Sequence, residues 1–250
     1  TTAASELPLA RQHGVAGLLL ALRALSSDAF TGEDALALLS SPVGGVEPVA
    51  LRRLRRGLRR SELTTGGERE SADLLRLVLI GEIGRHDPLL KRLTDVEAES
   101  LRRTMAVLRK ASDALDRGRG VEEVLWAAWQ ATGLERVWAA ASDRGGPVGA
   151  QADRDLDAVV ALFDAAAGYV DRLPRAQIAG FVDYLTSQEI PSTSRHTSVT
   201  PNAVTVLSAH SAAGREWDVV AVAGVQEGLW PSLRARGSLL GTDSLIDLVG

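Results

Sequence analysis

The sequence predicts a mainly α protein that ends in a small α/β portion. Three observations carry this expectation. Apolar residues recur at spacings of three and four from the first turns of the chain to about residue 190, which is the helical period. The stretch IPSTSRHTSVTPN, Ile190 to Asn202, then breaks the period with Ser, Thr and two prolines, a composition too polar to order itself by burial, and reads as a linker. Beyond it the β-branched runs Val204–Leu207 and Val219–Val222 are too short for helices and read as two strands around a polar loop.

Taken in order, Val15, Leu18, Leu19, Leu22 and Leu25 form the apolar stripe of a first helix ending before Ser26 and Ser27. Thr31 followed by Asp34 has the pattern of a capping box, and opens a helix through Ala35, Leu36, Leu38 and Leu39 that Pro42 stops. A turn at Gly44 and Gly45 leads to Pro48, suited to the first turn of a helix that continues to Arg60. The same period predicts helices over Ser71–Glu82, Val96–Asp116, Val121–Thr132, Leu134–Ser142, Asp153–Arg172 and Ala176–Gln188. Their breaks are TTGG at Thr64–Gly67, Gly118–Gly120 and RGGPVG at Arg144–Gly149.

Composition narrows the class. With 250 residues, 45% of them hydrophobic, the chain can bury a sizeable core. It has no cysteine, which excludes disulfides and thiolate metal sites, and its four histidines (His13, His86, His196, His210) lack metal-ligand spacing, so no metal site is expected. No apolar run approaches the roughly 18–20 residues that span a bilayer, and the first segment lacks the pattern of a signal peptide, so no membrane partner and a cytoplasmic location are expected. The net charge of -4 conceals an asymmetry. Only Lys91 and Lys110 are lysines, so 26 of the 28 basic residues are Arg, and six of those stand between Arg52 and Arg60.

These six need a physical reading. On one helix Arg52, Arg53, Arg55, Arg56, Arg59 and Arg60 cannot all share a face, because Leu51, Leu54 and Leu58 hold the apolar stripe and the arginines flank it. They suit either a solvated basic helix paired with acids elsewhere or contact with nucleic-acid phosphates, with Arg52, Arg55, Arg56 and Arg59 the candidate DNA-binding residues. Trp126, Trp129 and Trp138, at helical spacing, read as core. Asp153, Asp155 and Asp157 read as the solvent face of their helix. In the loop between the two strands, His210 and Ser211 can donate to an anion, Gly214 permits close backbone approach, and Glu216 can accept from hydroxyls such as those of a ribose. The same pattern also suits a purely structural loop.

The stretch TVLSAHSAAGREWDVVAVAGVQEGLWPS, Thr205–Ser232, resembles a motif of the second motor domain in the UvrD/Rep family of superfamily 1 DNA helicases, with Ser208, His210, Ala212, Gly214, Glu216, Trp217, Gly224, Glu227, Gly228 and Pro231 at the matching positions. Ala213 stands where the family has Lys, and Arg215 where it has Leu. The resemblance implies that Ser208, His210 and Ser211 lie on single-stranded DNA, that Gly214 and Glu216 bind ATP at its phosphates and ribose, and that Asp218–Val222 is a core strand of a RecA-like sheet. QHGVAGLLLALRALSSDAFTGEDALALLSSPVGGVEPVALRRLRR resembles the passage into the family's large helical insertion (helicase 2B-like), with Gly45, Val46 and Glu47 at a glycine turn that holds duplex backbone. The implied organisation is the helical start of the second motor domain over residues 1–31, the insertion over 32–198, and a partial RecA-like α/β segment with the ATP and DNA motif over 199–250.

REWDVVAVAGVQEGLWPSLRARGSLLG and SPVGGVEPVALRRLRR further resemble actinobacterial helicase-nuclease proteins of the AdnA/AdnB type, which are RecB-like. The activity implied is that of an ATP-dependent 3′ to 5′ DNA helicase or translocase in DNA repair or double-strand-break processing. Single-stranded and duplex DNA and a second helicase-nuclease subunit would be its partners. ATP and Mg²⁺ are the implied cofactors of the intact protein. The chain has no GxxxxGK[ST] phosphate loop, so none is expected on this piece, which should be inactive alone and has no catalytic residue of its own. The alternative is a non-catalytic DNA- or partner-binding subunit of a helicase-nuclease complex, which Ala213 favours; a helical adaptor without a DNA role is the third reading.

Overall fold

Three of the helix starts among the described residues carry a side chain that accepts from the first free N–H groups. A computed structural model describes residues 2–3, 7–26, 29–84, 86–173, 177–187, 205–206, 212, 214 and 216–226. A 3₁₀ turn at Leu9–Arg11 leads into α1 (His13–Ser26), followed by α2 (Gly32–Ser40), α3 (Pro48–Thr64), α4 (Ser71–Leu79) and α5 (Pro88–Lys91). Then come α6 (Asp95–Asp116), α7 (Val121–Thr132), α8 (Leu134–Arg144), α9 (Gly146–Arg172) and α10 (Ile178–Ser187). Before α2, Thr31 Oγ1 accepts from the Asp34 N–H at 3.1 Å while the Asp34 carboxylate accepts from the Thr31 N–H at 2.9 Å, the expected reciprocal cap. The pair Thr94 and Glu97 repeats this at the start of α6. Proline occupies the first turn of α3, α5 and α9, where its missing N–H removes no bond.

The chain divides into two compact units, one of Ala4–Ala203, the other of Thr1–Ala3 with Val204–Gly250. The first is mainly α. Its centre is α1, whose Val15, Leu18, Ala21 and Leu22 are fully buried and which packs on α2, α6, α7, α9 and α10. The resemblance assigns residues 1–31 to a motor domain, whereas this first helix is inside the helical unit. At Gly14 the backbone of α1 passes so close to α9 that an added Cβ would stand 2.8 Å from the Asp155 carbonyl oxygen, so glycine sets the spacing of the two helices. The consecutive helices α6 and α7, and α8 and α9, form large contacts, as does α2 with α4. Trp129 and Trp138 are buried against each other, with ring centroids 5.6 Å apart, as a core reading requires. Trp126 is instead half exposed, edge-on to Phe163.

Three local expectations are corrected. RGGPVG does not separate helices over its whole length, because α9 already begins at Gly146 with Pro147 in its first turn. Asp153 and Asp157 are on the solvent face of α9, but Asp155 is buried. Its carboxylate meets His13 Nδ1 at 3.0 Å and accepts from Gln151 Nε2 at 3.1 Å, bonds that compensate the loss of water around it. The segment Asp218–Val222 is no core strand: it has no strand pairing, and Val219 is 87% exposed.

In the second unit, β1 (Thr2–Ala3) pairs in parallel with β2 (Thr205–Val206), in the register Thr2 to Thr205 and Ala3 to Val206. The strand predicted at Val204–Leu207 is thus present over two of its residues, and its neighbour comes from the start of the chain. A parallel pair always needs a crossover connection between its strands. Here the sequence between them is the helical unit.

Candidate nucleic-acid interface

The spacing of arginines on α3 determines what they can do together. At about 100° per residue, positions 52, 55, 56 and 59 (i, i+3, i+4, i+7) fall within one arc, and positions 53 and 60 lie to its side. The opposite face holds Leu54, Gly57, Leu58 and Ser61, all buried against the rest of the helical unit. The structure gathers Arg52, Arg55, Arg56 and Arg59 with Ser71 of α4 around one shallow depression of about 350 Å³. Arg52, Arg55 and Arg56 are exposed and Arg59 is half-buried.

Two contacts stiffen this face. Arg55 Nε donates to Ser71 Oγ at 3.0 Å, and Arg59 Nη1 donates to the Arg69 carbonyl at 2.9 Å. Neither contact neutralises charge. No carboxylate lines the depression, and none of the four arginines is in an ion pair among the described residues. Four guanidinium groups around a depression with no carboxylate among its described lining residues form a site for anionic oxygens, and guanidinium matches phosphate geometry better than ammonium does.

Arg60 and Arg69 have a different task. Arg60 makes a forked contact with both oxygens of Glu97, tying α3 to α6. That guanidinium, with the Thr94 N–H, holds the Glu97 carboxyl down to about 2. Arg69, in the loop after α3, donates from Nε at 2.7 Å and Nη2 at 3.0 Å to Glu62, whose side chain is only 1% exposed. The Arg69 bonds lower the Glu62 carboxyl against its burial, and the nearby charge of Arg59 adds to this.

A second depression, of about 580 Å³, lies beside the glycine turn, lined among others by His13, Ser41, Gly45, Glu47 and Trp138. Arg52 lines both depressions, so the turn and the arginine face are adjacent. Gly45 has φ +61°, a left-handed conformation that explains the glycine there. Val46 is buried, and Glu47 is the exposed N-cap residue of α3, without a side-chain capping bond. A carboxylate at that cap complements the helix dipole and repels phosphate from the same N–H groups.

The other predicted residues belong to the second unit. Gly214 is exposed with φ +78° and Glu216 is exposed. Ser208, His210 and Ser211, with Ala213 and Arg215, lie outside the described residues. Sequence reasoning missed Ser71 and Arg69. The shared arc of the four arginines was readable from their spacing, but nothing in the sequence signals that a serine sixteen positions beyond Arg55 closes the depression. Among the described residues no group of three or more His, Asp or Glu side chains is placed to hold a metal, and no helix is long and apolar enough to cross a membrane. No protein-family model matches the chain, and no curated protein matches it.

Proposed function

We propose that the chain is the helical insertion and adjoining α/β segment of an ATP-driven DNA helicase or translocase of the UvrD/Rep type, and that α3 grips the DNA backbone. One observation carries the DNA reading: four arginines converge on a depression that contains no carboxylate. The parallel pairing of β1 with β2 supports an α/β host sheet interrupted by the helical unit. In the intact motor, ATP and Mg²⁺ would supply the driving reaction, with Glu216 at the ribose and Gly214 near the phosphates. The chain's own contribution is the grip on nucleic acid. Ala213, where the resemblance calls for Lys, favours a second reading in which the motor is non-catalytic and the grip alone is retained.

The test is the salt dependence of binding to a labelled DNA duplex, followed by fluorescence anisotropy. Each neutralised phosphate contributes about -0.9 to the slope of log affinity against log salt, so four contacts predict about a hundredfold loss between 50 and 200 mM salt. Replacing Arg52, Arg55, Arg56 and Arg59 together by Ala should remove most of that dependence. An unchanged slope takes α3 out of the DNA path. Since the chain has no phosphate loop, ATP turnover by it alone would overturn its assignment to this part of a motor.

A further inference from the structure

A second cationic region, between α5 and α6, has a different make-up from the arginine face of α3. It is a half-open groove of about 690 Å³ with an apolar floor of Leu93, Leu101 and Met105. Its rim carries His86, Lys91, Arg102 and Arg109, and among the described residues no carboxylate lines it. Lys91 and Arg109 are exposed and in no ion pair among the described residues. Arg102 bonds Asp95 at 2.8 Å, but the Asp95 side chain is 92% exposed, so water screens that pair and a better partner can replace it. By contrast, the depression on α3 is lined only by arginines and Ser71, with no apolar floor.

Phosphate backbone gains nothing from Leu93, Leu101 and Met105, whereas an amphipathic segment buries its apolar side chains there and sets carboxylates on the rim. The groove follows α6 from Ala98 to Arg109, about 16 Å at 1.5 Å per residue, or three helical turns. That length accepts a helix with apolar anchors at i, i+3 or i+4, and i+7. Met105 at the centre adapts its shape to varied anchors. The chain as a whole is acidic, with net charge -4, so a rim that gathers Lys91, Arg102 and Arg109 favours a partner of opposite sign. We infer that the groove between α5 and α6 docks a short acidic amphipathic helix of a partner protein, with Leu-type anchors on Leu93, Leu101 and Met105 and Asp or Glu side chains on Lys91, Arg102 and Arg109. The α3 grip on DNA and this docking are independent, because they use different residues.

The probe is a labelled synthetic helix of about four turns, Leu at i, i+3 and i+7 and Glu on the flanking positions, titrated with the whole chain by fluorescence anisotropy. The expected result is binding at least about tenfold tighter than that of the same peptide with Lys in place of Glu. Met105→Glu should weaken the acidic peptide by about tenfold or more. The double change Lys91→Glu with Arg109→Glu should reverse the preference between the two peptides. Both variants alter exposed or half-buried positions, and an unchanged circular dichroism spectrum verifies that they fold. Three results would overturn the inference: no binding at millimolar peptide; equal binding of a scrambled acidic peptide with no apolar face; or loss of duplex DNA affinity in the Lys91 and Arg109 variant, which would make the groove a nucleic-acid surface.

Discussion

Six of the arginines on and just after α3 fall into two populations. Arg60 and Arg69 are locked on Glu97 and Glu62, and each closes a junction between elements of the helical unit. Arg52, Arg55, Arg56 and Arg59 stand around a depression without a counter-charge. The same side chain thus does two jobs within about twenty residues. What separates them is a carboxylate in direct contact: Arg60 and Arg69 each bond one, whereas the four around the depression bond none among the described residues, and Glu62 acts on Arg59 only at longer range. Arginine count alone does not distinguish these two jobs; the carboxylate contacts do.

That division can be broken from both sides. Arg69→Ala leaves the almost fully buried Glu62 without its main donors and should cost about 2–3 kcal/mol of stability, read from the urea midpoint, with the DNA salt slope unchanged. Glu97→Gln acts on pH dependence. With Glu97 held at about 2, below the ordinary carboxyl value of 4.5, its contribution is fully present above that ordinary value and is lost as the pH falls towards 2. Urea unfolding between pH 6 and 2.5 should therefore show a stability loss in the native chain that is reduced in Glu97→Gln. Arg56→Ala should do the opposite of Arg69→Ala: stability within about 0.5 kcal/mol of the native value, and a DNA salt slope shallower by about 0.9. The smallest effect is predicted for Glu216→Ala. An exposed carboxylate should leave the thermal midpoint where it is, and a shift of several degrees would show that Glu216 has a structural partner.

The helical architecture was legible because its causes are local. The stripe Val15, Leu18, Leu22, the Thr31 and Asp34 cap, and Pro48 all announce themselves within one or two turns, and α7 spans the predicted Val121–Thr132. The one-turn α5 was missed because four residues carry no period. Asp155 was misread for a related reason. Its neighbours Asp153 and Asp157 are exposed, and only the approach of His13, 142 residues away, gives the buried carboxylate a partner. Val219–Val222 has strand composition but no pairing in the structure, since composition supplies propensity and a sheet must supply the neighbours. At the arginine face the four cations were readable from spacing, and their closure by Ser71 was not.

The pairing of Thr2 with Thr205 has a consequence for how the molecule folds. Its two strands are about two hundred residues apart, and closing so long a loop in an unstructured chain would cost about 4–5 kcal/mol before any contact offset it. Within the helical unit, pairs such as α6 with α7 and α8 with α9 close far shorter loops, so the helical unit should form first and the short parallel ladder last. In pulsed hydrogen exchange during refolding, the amides of α1 and α7 should become protected well ahead of those of Thr205 and Val206. The ladder would then report that the helical unit has folded.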